Sequence, residues 1–191
     1  MLFRSNENDS PPGTPWTGFE ENSYSVVTSA GNAVSATLDG FEVTGGNGEA
    51  VFGGGIHVSS GSVAQVLACT FYRNRAGYGG GAMVDDSAPW FDRCAFYGNT
   101  ALQFGGGMYA ENTAPLIVTN SVIAGNYALA TGPSPNGGGG IQHRAGSIAI
   151  INCTVYGNWS ASDGGGVNTD ATVAFRNSIM WDNAAGGVGP N

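Results

Sequence analysis

The chain contains no lysine and few charged residues of any kind. Lysine and arginine together number 6, all of them arginine, and the net charge of the 191 residues is −8. A surface without basic clusters does not displace counterions from phosphates, so the composition argues against a nucleic-acid-binding domain. It argues equally against electrostatic docking on an anionic membrane. A run of about 18 apolar residues is also missing, so no segment is predicted to span a bilayer.

Helical periodicity is the second absence. No window places apolar residues at i, i+3, i+4 and i+7. The 33 glycines recur every few residues, and each would cost a helix about 1 kcal/mol. Because 41% of the residues are hydrophobic and regularly spaced, the chain is not predicted to be disordered either.

A glycine triplet recurs five times and is followed each time by a four-residue motif that ends in asparagine. The triplets begin at Gly53, Gly79, Gly105, Gly138 and Gly164. The motifs are FYRN, FYGN, IAGN, VYGN and MWDN, which end at Asn74, Asn99, Asn126, Asn158 and Asn183. The steps between these asparagines are 25, 27, 32 and 25 residues. A period in this range is typical of a repeat protein whose units stack.

Alignment of the five units gives columns of like residues with period-two alternation. The apolar columns are Ile56, Ala82, Met108, Ile141 and Val167; Val66, Phe91, Val118, Ile150 and Phe175; and Phe71, Phe96, Ile123, Val155 and Met180. We expect the five residues of the third column to be buried in one stack. Short strands separated by Gly and Asn corners, two or three in each repeat, predict an all-β chain that forms a parallel β-helix of about six rungs. We expect the rungs over residues 23–183, an irregular segment over 1–22, and the start of a further rung over 184–191.

Further features refine this alignment. Tyr24–Thr28 and Thr37–Thr44 alternate like strands and predict an earlier, divergent rung. Residues 127–137 lengthen the third repeat and predict a surface loop. A corner ladder of side-chain amides is expected from Asn120, Asn152 and Asn177, and Ala68 and Arg93 interrupt it in the first two repeats.

The three cysteines share one inward column with Ser121 and Ser178. Cys69 and Cys94 are predicted on adjacent rungs, and Cys153 lies two rungs beyond Cys94. Two rungs are roughly 9.6 Å, which is beyond disulfide reach. We interpret these cysteines as small buried apolar residues.

Two motif groups resemble known families. GGAM (Gly80–Met83) with FYGN (Phe96–Asn99) resembles the repeats of polymorphic outer-membrane proteins. LDGFEVTGG (Leu38–Gly46) and NSIMWDN (Asn177–Asn183) are similar to bacterial right-handed parallel β-helix repeat proteins. The resemblance covers residues 23–183 and implies right-handed coiling, which the usual hand of parallel crossovers also favours. The group includes adhesins, surface proteins and enzymes that cut or epimerise polysaccharides.

One outward column is the candidate site. It contains Ser59, Asp85, Glu111, Arg144 and Asp170, with Tyr109 and His57 one strand position back. In parallel β-helix lyases and hydrolases, carboxylates on such a face bind calcium or act as acid and base, and an arginine neutralises a uronate. Tyr109 and His57 could then stack on a sugar or hydrogen-bond to it. The alternative is an exposed ladder in which Arg144 offsets Glu111 and Asp170.

The preferred function is a cell-surface or secreted β-solenoid scaffold or adhesin without catalysis. It would need no cofactor or metal, and would present its side chains to a glycan or a cell-surface partner. The alternative is a pectate-lyase-like enzyme acting on acidic polysaccharide, with calcium as its cofactor. Because no basic segment followed by an apolar stretch opens the chain, we expect the export signal and the remaining rungs to lie in a longer protein.

Overall fold

The structure, a computed structural model, consists of short β-strands and tight corners. It describes residues 2–4, 24–31, 36–131 and 137–186, and no helix occurs among them. None of this described part could therefore cross a membrane as a helix. The strands are β1 Leu2–Arg4, β2 Val27–Ala30, β3 Thr37–Asp39, β4 Glu42–Thr44, β5 Asn47–Phe52, β6 Ile56–Ser59, β7 Gln65–Leu67, β8 Thr70–Tyr72, β9 Arg75–Tyr78, β10 Ala82–Asp85, β11 Trp90–Asp92, β12 Ala95–Tyr97, β13 Thr100–Phe104, β14 Met108–Glu111, β15 Thr113–Thr119, β16 Val122–Ala124, β17 Tyr127–Ala128, β18 Ile141–His143, β19 Gly146–Ile151, β20 Thr154–Tyr156, β21 Trp159–Ser160, β22 Val167–Thr169, β23 Thr172–Arg176, β24 Ile179–Trp181 and β25 Ala184–Ala185.

Successive strands turn through four sheets and then return to the first one. Sheet I is β2-β6-β10-β14-β18-β22, sheet II is β3-β7-β11-β15-β19-β23, sheet III is β1-β4-β8-β12-β16-β20-β24, and sheet IV is β5-β9-β13-β17-β21-β25. Neighbouring strands pair in parallel, as in β10 with β14 and β12 with β16. The described residues thus form a parallel β-helix of six four-strand rungs, which confirms the predicted fold. The sequence predicted only two or three strands in each rung, so sheet IV is an addition.

The three predicted apolar columns occur in the predicted register. Phe71 pairs with Phe96, Phe96 with Ile123, and Ile123 with Val155, all four fully buried. The rings of Phe71 and Phe96 stack with centroids 4.9 Å apart. The expected burial of Met180 is wrong, because its side chain is 52% exposed. It lies in the last described rung, where no further described strand covers it.

The asparagine that ends each repeat motif hydrogen-bonds to the corresponding corner of the preceding rung. The Asn99 Oδ1 accepts hydrogen bonds from the backbone N–H of Asn74 (3.0 Å) and from its Nδ2 (3.1 Å), while the Asn99 Nδ2 donates to the carbonyl of Phe71 (2.9 Å). Asn126 does the same for Asn99. Asn158 and Asn183 continue the pattern. This inner ladder explains why every repeat motif ends in asparagine.

The predicted outer ladder is also present. The Asn152 Nδ2 donates to the Asn120 Oδ1 (3.1 Å) and the Asn177 Nδ2 donates to the Asn152 Oδ1 (2.7 Å). On the other side, the Asn120 Nδ2 donates a hydrogen bond to the carboxylate of Asp92, which lies on the preceding rung. All three asparagines have positive φ, between 46° and 55°, so the corner needs a residue that tolerates left-handed geometry.

The glycine triplets bring backbone against backbone. A Cβ added at Gly80 would lie 2.6 Å from the carbonyl oxygen of Gly106, and one at Gly81 would lie 2.5 Å from that of Gly107. Side chains are therefore excluded by the neighbouring rung, and the strands of sheet I start in the same register.

The segments outside the regular repeats were predicted less well. Leu2–Arg4, within the segment expected to be irregular, forms β1 and pairs with β4. Ala184–Ala185, expected to begin a further rung, forms β25 and completes the sixth. Within the predicted third-repeat loop, residues 127–137, Tyr127–Ala128 form β17 instead, and residues 132–136 lie outside the described residues. The repeat resumes in register at β18.

We expect Phe96→Ala to lower the free energy of unfolding by about 3–5 kcal/mol, because the ring is fully buried in a stacked column. Denaturant titration measures the loss. Met180→Ala is the matched control from the same column and should cost much less. Equal losses in the two variants would contradict the assigned burial.

We also expect Asn99→Ala to destabilise the protein by about 3 kcal/mol or more, because it removes the partners of several buried groups at about 1–3 kcal/mol each. Asn152→Ala, in the exposed outer ladder, is the control. Hydrogen exchange should show faster exchange of the Asn74 amide in Asn99→Ala alone. Unchanged protection of that amide would rule out the proposed role of the ladder.

Candidate functional site

The predicted polar column lies on the outer side of sheet I. Asp85 pairs directly with Glu111 across β10 and β14. The backbone N–H of Arg144 donates to the carbonyl of Ala110 (2.9 Å), which places Arg144 beside Glu111 on the next rung. Asp170 follows in the same way on the rung after it. Asp85 and Glu111 are half-buried, whereas Arg144 and Asp170 are exposed.

Tyr109 ties two members of this column together. Its hydroxyl donates to the Glu111 Oε2 at 2.9 Å. Burial raises the pKa of Tyr109 well above its usual range, and the hydrogen bond to Glu111 raises it further. Interaction with the Tyr109 hydroxyl raises the pKa of Arg144, to which the charges of Glu111 and Asp170 also contribute. The Glu111 carboxylate is therefore hydrogen-bonded within the fold, whereas Arg144 stays exposed and interacts with the Tyr109 hydroxyl electrostatically.

The expected exposure of the Tyr109 ring is wrong. The side chain is only 2% exposed, because an apolar cluster covers the outer face of sheet I. Phe104 and Met83 are buried with it, and the ring of Tyr78 meets the Tyr109 ring edge-on with centroids 5.3 Å apart. No ring face of Tyr109 is free to stack on a sugar.

The sequence contains a pattern that predicts this apolar cluster, and our alignment did not use it. Phe52, Tyr78 and Phe104 each stand directly before a glycine triplet, at the end of a sheet IV strand. Tyr78 contacts both Phe52 and Phe104, with ring centroids 5.4 and 5.6 Å away. An aromatic residue repeated at that position predicts a stack of rings. Because the glycine corner follows directly, this stack lies against the outer face of sheet I, where Tyr78 contacts Tyr109.

His57 lies at the edge of the same cover. Its ring centroid is 6.1 Å from that of Phe52, and its Nε2 has no hydrogen-bond partner within the described part of the chain. Burial lowers the pKa of His57, although the charge of Asp85 acts in the opposite direction. Further along this column the Gln142 side chain is fully buried, and neither amide atom has a hydrogen-bond partner among the residues that the structure describes.

His143 lies inside the solenoid, where it contacts residues of the core and of the neighbouring rung. Its ring nitrogens are each 3.3 Å from a threonine hydroxyl, one of Thr113 and the other of Thr169. The side chain is fully buried, and burial lowers its pKa.

The cysteines occupy the predicted small-residue column. All three are free and buried, and each thiol donates to backbone carbonyls, as Cys94 does to Val66 (3.3 Å). Burial raises the pKa of Cys94 to about 12, so its thiol stays protonated. Across residues 2–4, 24–31, 36–131 and 137–186, no three His, Cys, Asp or Glu side chains group as a metal site would require.

A second feature of the surface, an aromatic column on the outer face of sheet III, was missed. It consists of Tyr72, Tyr97, Tyr156 and Trp181, in register on successive rungs except where Ala124 interrupts it. Tyr72 stacks on Tyr97 (5.2 Å between centroids, 11° between planes), and Tyr156 stacks on Trp181 (5.7 Å, 12°). The second residues of the five motifs, which are Y, Y, A, Y and W, could have predicted this aromatic column.

Comparison with known families agrees with this architecture. The family model described as a right-handed beta helix region matches residues 19–189. The chain belongs to this right-handed β-helix family. No curated protein and no solved structure matches it. The family assignment establishes the hand of the β-helix and its repeat nature.

Stability of the β-helix should depend on pH through its two histidines. Each has a folded-state pKa below the usual value of 6.5, so the unfolded chain binds their protons more tightly. The free energy of unfolding should therefore fall as the pH drops through 6.5. Thermal melts between pH 8 and 5 measure this slope. His143→Gln and His57→Gln should each reduce the slope, and the double variant should lose most of it; an unchanged slope in the double variant would contradict this assignment.

Proposed function

We propose that this β-helix is a secreted or cell-surface scaffold that binds a partner on its outer face and carries no catalytic site. The observation that carries the proposal is the aromatic column of sheet III. Tyr97 and Tyr156, both on inner rungs, are 44% and 39% exposed, although they are large and apolar. Aligned exposed aromatic residues are typical of binding surfaces, since they offer a large contact area with little loss of conformational entropy.

The geometry of sheet I supports a structural use of the polar column. The Glu111 carboxylate accepts the hydrogen bond of the buried Tyr109 hydroxyl, and Arg144 interacts with the same hydroxyl. A catalytic carboxylate or a uronate-binding arginine needs its charge directed at the substrate. Here the Glu111 carboxylate accepts a hydrogen bond from a side chain of the protein.

The location outside the cell rests on the resemblance of GGAM (Gly80–Met83) and FYGN (Phe96–Asn99) to repeats of polymorphic outer-membrane proteins. A glycan or another molecule of a cell surface is the partner that such a location makes available. The net charge of −8 favours an uncharged or cationic partner over an anionic one.

The alternative function is cleavage of an acidic polysaccharide, and one observation favours it. Asp85 and Glu111 are adjacent in register, and Arg144 and Asp170 follow on the next two rungs. Such a site would use calcium to hold the uronate, Asp85 and Glu111 as ligands or bases, and Arg144 to neutralise the substrate.

A lyase assay separates the two functions. The protein is incubated with polygalacturonate and with alginate, with and without calcium, and absorbance records unsaturated uronates. We expect no product above that of the Asp85→Ala/Arg144→Ala variant, because the Glu111 carboxylate is hydrogen-bonded to the Tyr109 hydroxyl. Calcium-dependent product that disappears in this variant would overturn the scaffold proposal. Polysaccharide binding without cleavage would support it.

A further inference from the structure

A cavity of about 160 Å³ lies inside the first two rungs, between sheets I and II. It is lined mainly by Val27, Ala36, Leu38, Ile56, Ala64 and Val66. Ile56 and Val66, on the second rung, are 1% and 0% exposed. Val27 and Leu38 pair with them from the first rung and face inward as they do, yet both are only half-buried. The cavity is therefore closed by the second rung and open to solvent at the first.

The cavity arises from short side chains in these two rungs. In the inward column at the start of sheet II, Ala36 and Ala64 occupy the position that Leu116 occupies in the fourth rung. In the first inward column of sheet I, Val27 occupies the position of Met108. Side chains that fill the core further along the solenoid are thus replaced by shorter ones. An apolar space of this size destabilises a protein when it stays unfilled.

The lining offers a ligand apolar contacts and no charge. None of the described residues that line the cavity is ionisable. Ser29 contributes a hydroxyl, but this hydroxyl is hydrogen-bonded to that of Ser62 at 2.8 Å. Thr28 and Thr37 alternate with inward residues along their strands and are exposed, so their hydroxyls are directed away from the core. The interior of the cavity therefore favours a ligand without polar groups.

We propose that this cavity binds a small hydrocarbon group of the size of one benzene ring. An apolar cavity of about 150 Å³ takes up benzene or xenon, so a cavity of about 160 Å³ has room for one such ring. The bound group would supply the van der Waals contacts that the short side chains leave unmade. The site shares no residue with the aromatic column of sheet III, so it is a binding function in addition to the one proposed above.

Titration with benzene and with xenon tests the proposal, and dioxane, a ring of the same size that carries ether oxygens, is the polar comparison. Methyl NMR follows Val27, Leu38, Ile56 and Val66, and calorimetry records the unfolding midpoint. We expect saturable benzene binding with a dissociation constant of about 1 mM and shifts confined to the methyl groups of the cavity. The unfolding midpoint should rise, because a ligand that binds only the folded state stabilises it. Dioxane should bind at least about ten-fold more weakly, since its oxygens would lose their hydrogen bonds to water.

Two variants that fill the cavity test its position. Ala64→Leu places on the second rung the side chain that Leu116 has in the same column, and Ala36→Leu fills the cavity from its exposed rim. Each should weaken benzene binding at least about ten-fold. If overpacking at Ala64 impairs folding, the exposed position of Ala36 keeps the test decisive. Ala149→Leu, on the outer side of sheet II, adds the same atoms outside the core and should bind benzene like the unmodified protein.

Every other result contradicts the assignment. Benzene that shows no saturable binding at about 10 mM would leave the cavity without the proposed ligand. Binding that both leucine variants retain would place the benzene elsewhere on the protein, and dioxane binding as tight as that of benzene would refute the apolar character of the site. Self-association in sedimentation velocity that benzene reverses would assign the cavity to a side chain of a second copy of the chain. None of these results involves sheet III or a polysaccharide, so they leave the scaffold proposal to its own assay.

Discussion

The structure depends on the inner ladder of asparagines at the corner between sheets III and IV. Asn74, Asn99, Asn126 and Asn158 are at most 1% exposed, and their amide groups are hydrogen-bonded to the neighbouring rungs. An amide buried without partners would be strongly destabilising. The ladder therefore fixes which residue of one rung lies against which residue of the next, and the apolar columns follow from that register.

Because the inner ladder and the apolar columns hold the rungs in register, the residues on the outer faces can differ from one sheet to another. The inner columns repeat on every rung, whereas the outer side of sheet I is covered by Phe104, Tyr78 and Met83, and the outer side of sheet III presents exposed rings. Phenols serve opposite purposes on the two faces. Tyr109 is buried and hydrogen-bonded to Glu111, while Tyr97 and Tyr156 keep nearly half of their surface exposed. The exposed aromatic face is the surface to which we assign the proposed binding of a partner.

The sequence predicts the inside of this protein better than its outside. Inward columns such as Phe71, Phe96 and Ile123 could be aligned because stacking places like on like at a regular step. Alternation shows which residues point outward, but it does not show what covers them. The burial of Tyr109 depends on Tyr78, which lies at the end of β9, two rungs earlier, and whose ring packs edge-on against the Tyr109 ring. Sheet IV was missed because its short strands, such as Trp159–Ser160, share no apolar alternation.

The inner ladder also has a direction. The carbonyl of Phe71 and the backbone N–H of Asn74 both hydrogen-bond to the side chain of Asn99, which follows Asn74 by 25 positions. In the same way, the backbone N–H of Asn99 needs Asn126, 27 positions later, and that of Asn126 needs Asn158, 32 positions later. A chain that emerges from the ribosome N-terminus first therefore closes each corner only after the following rung has been made. Synthesis and assembly run the same way along the solenoid, so the most recently formed rung is always the one whose buried polar groups still lack partners.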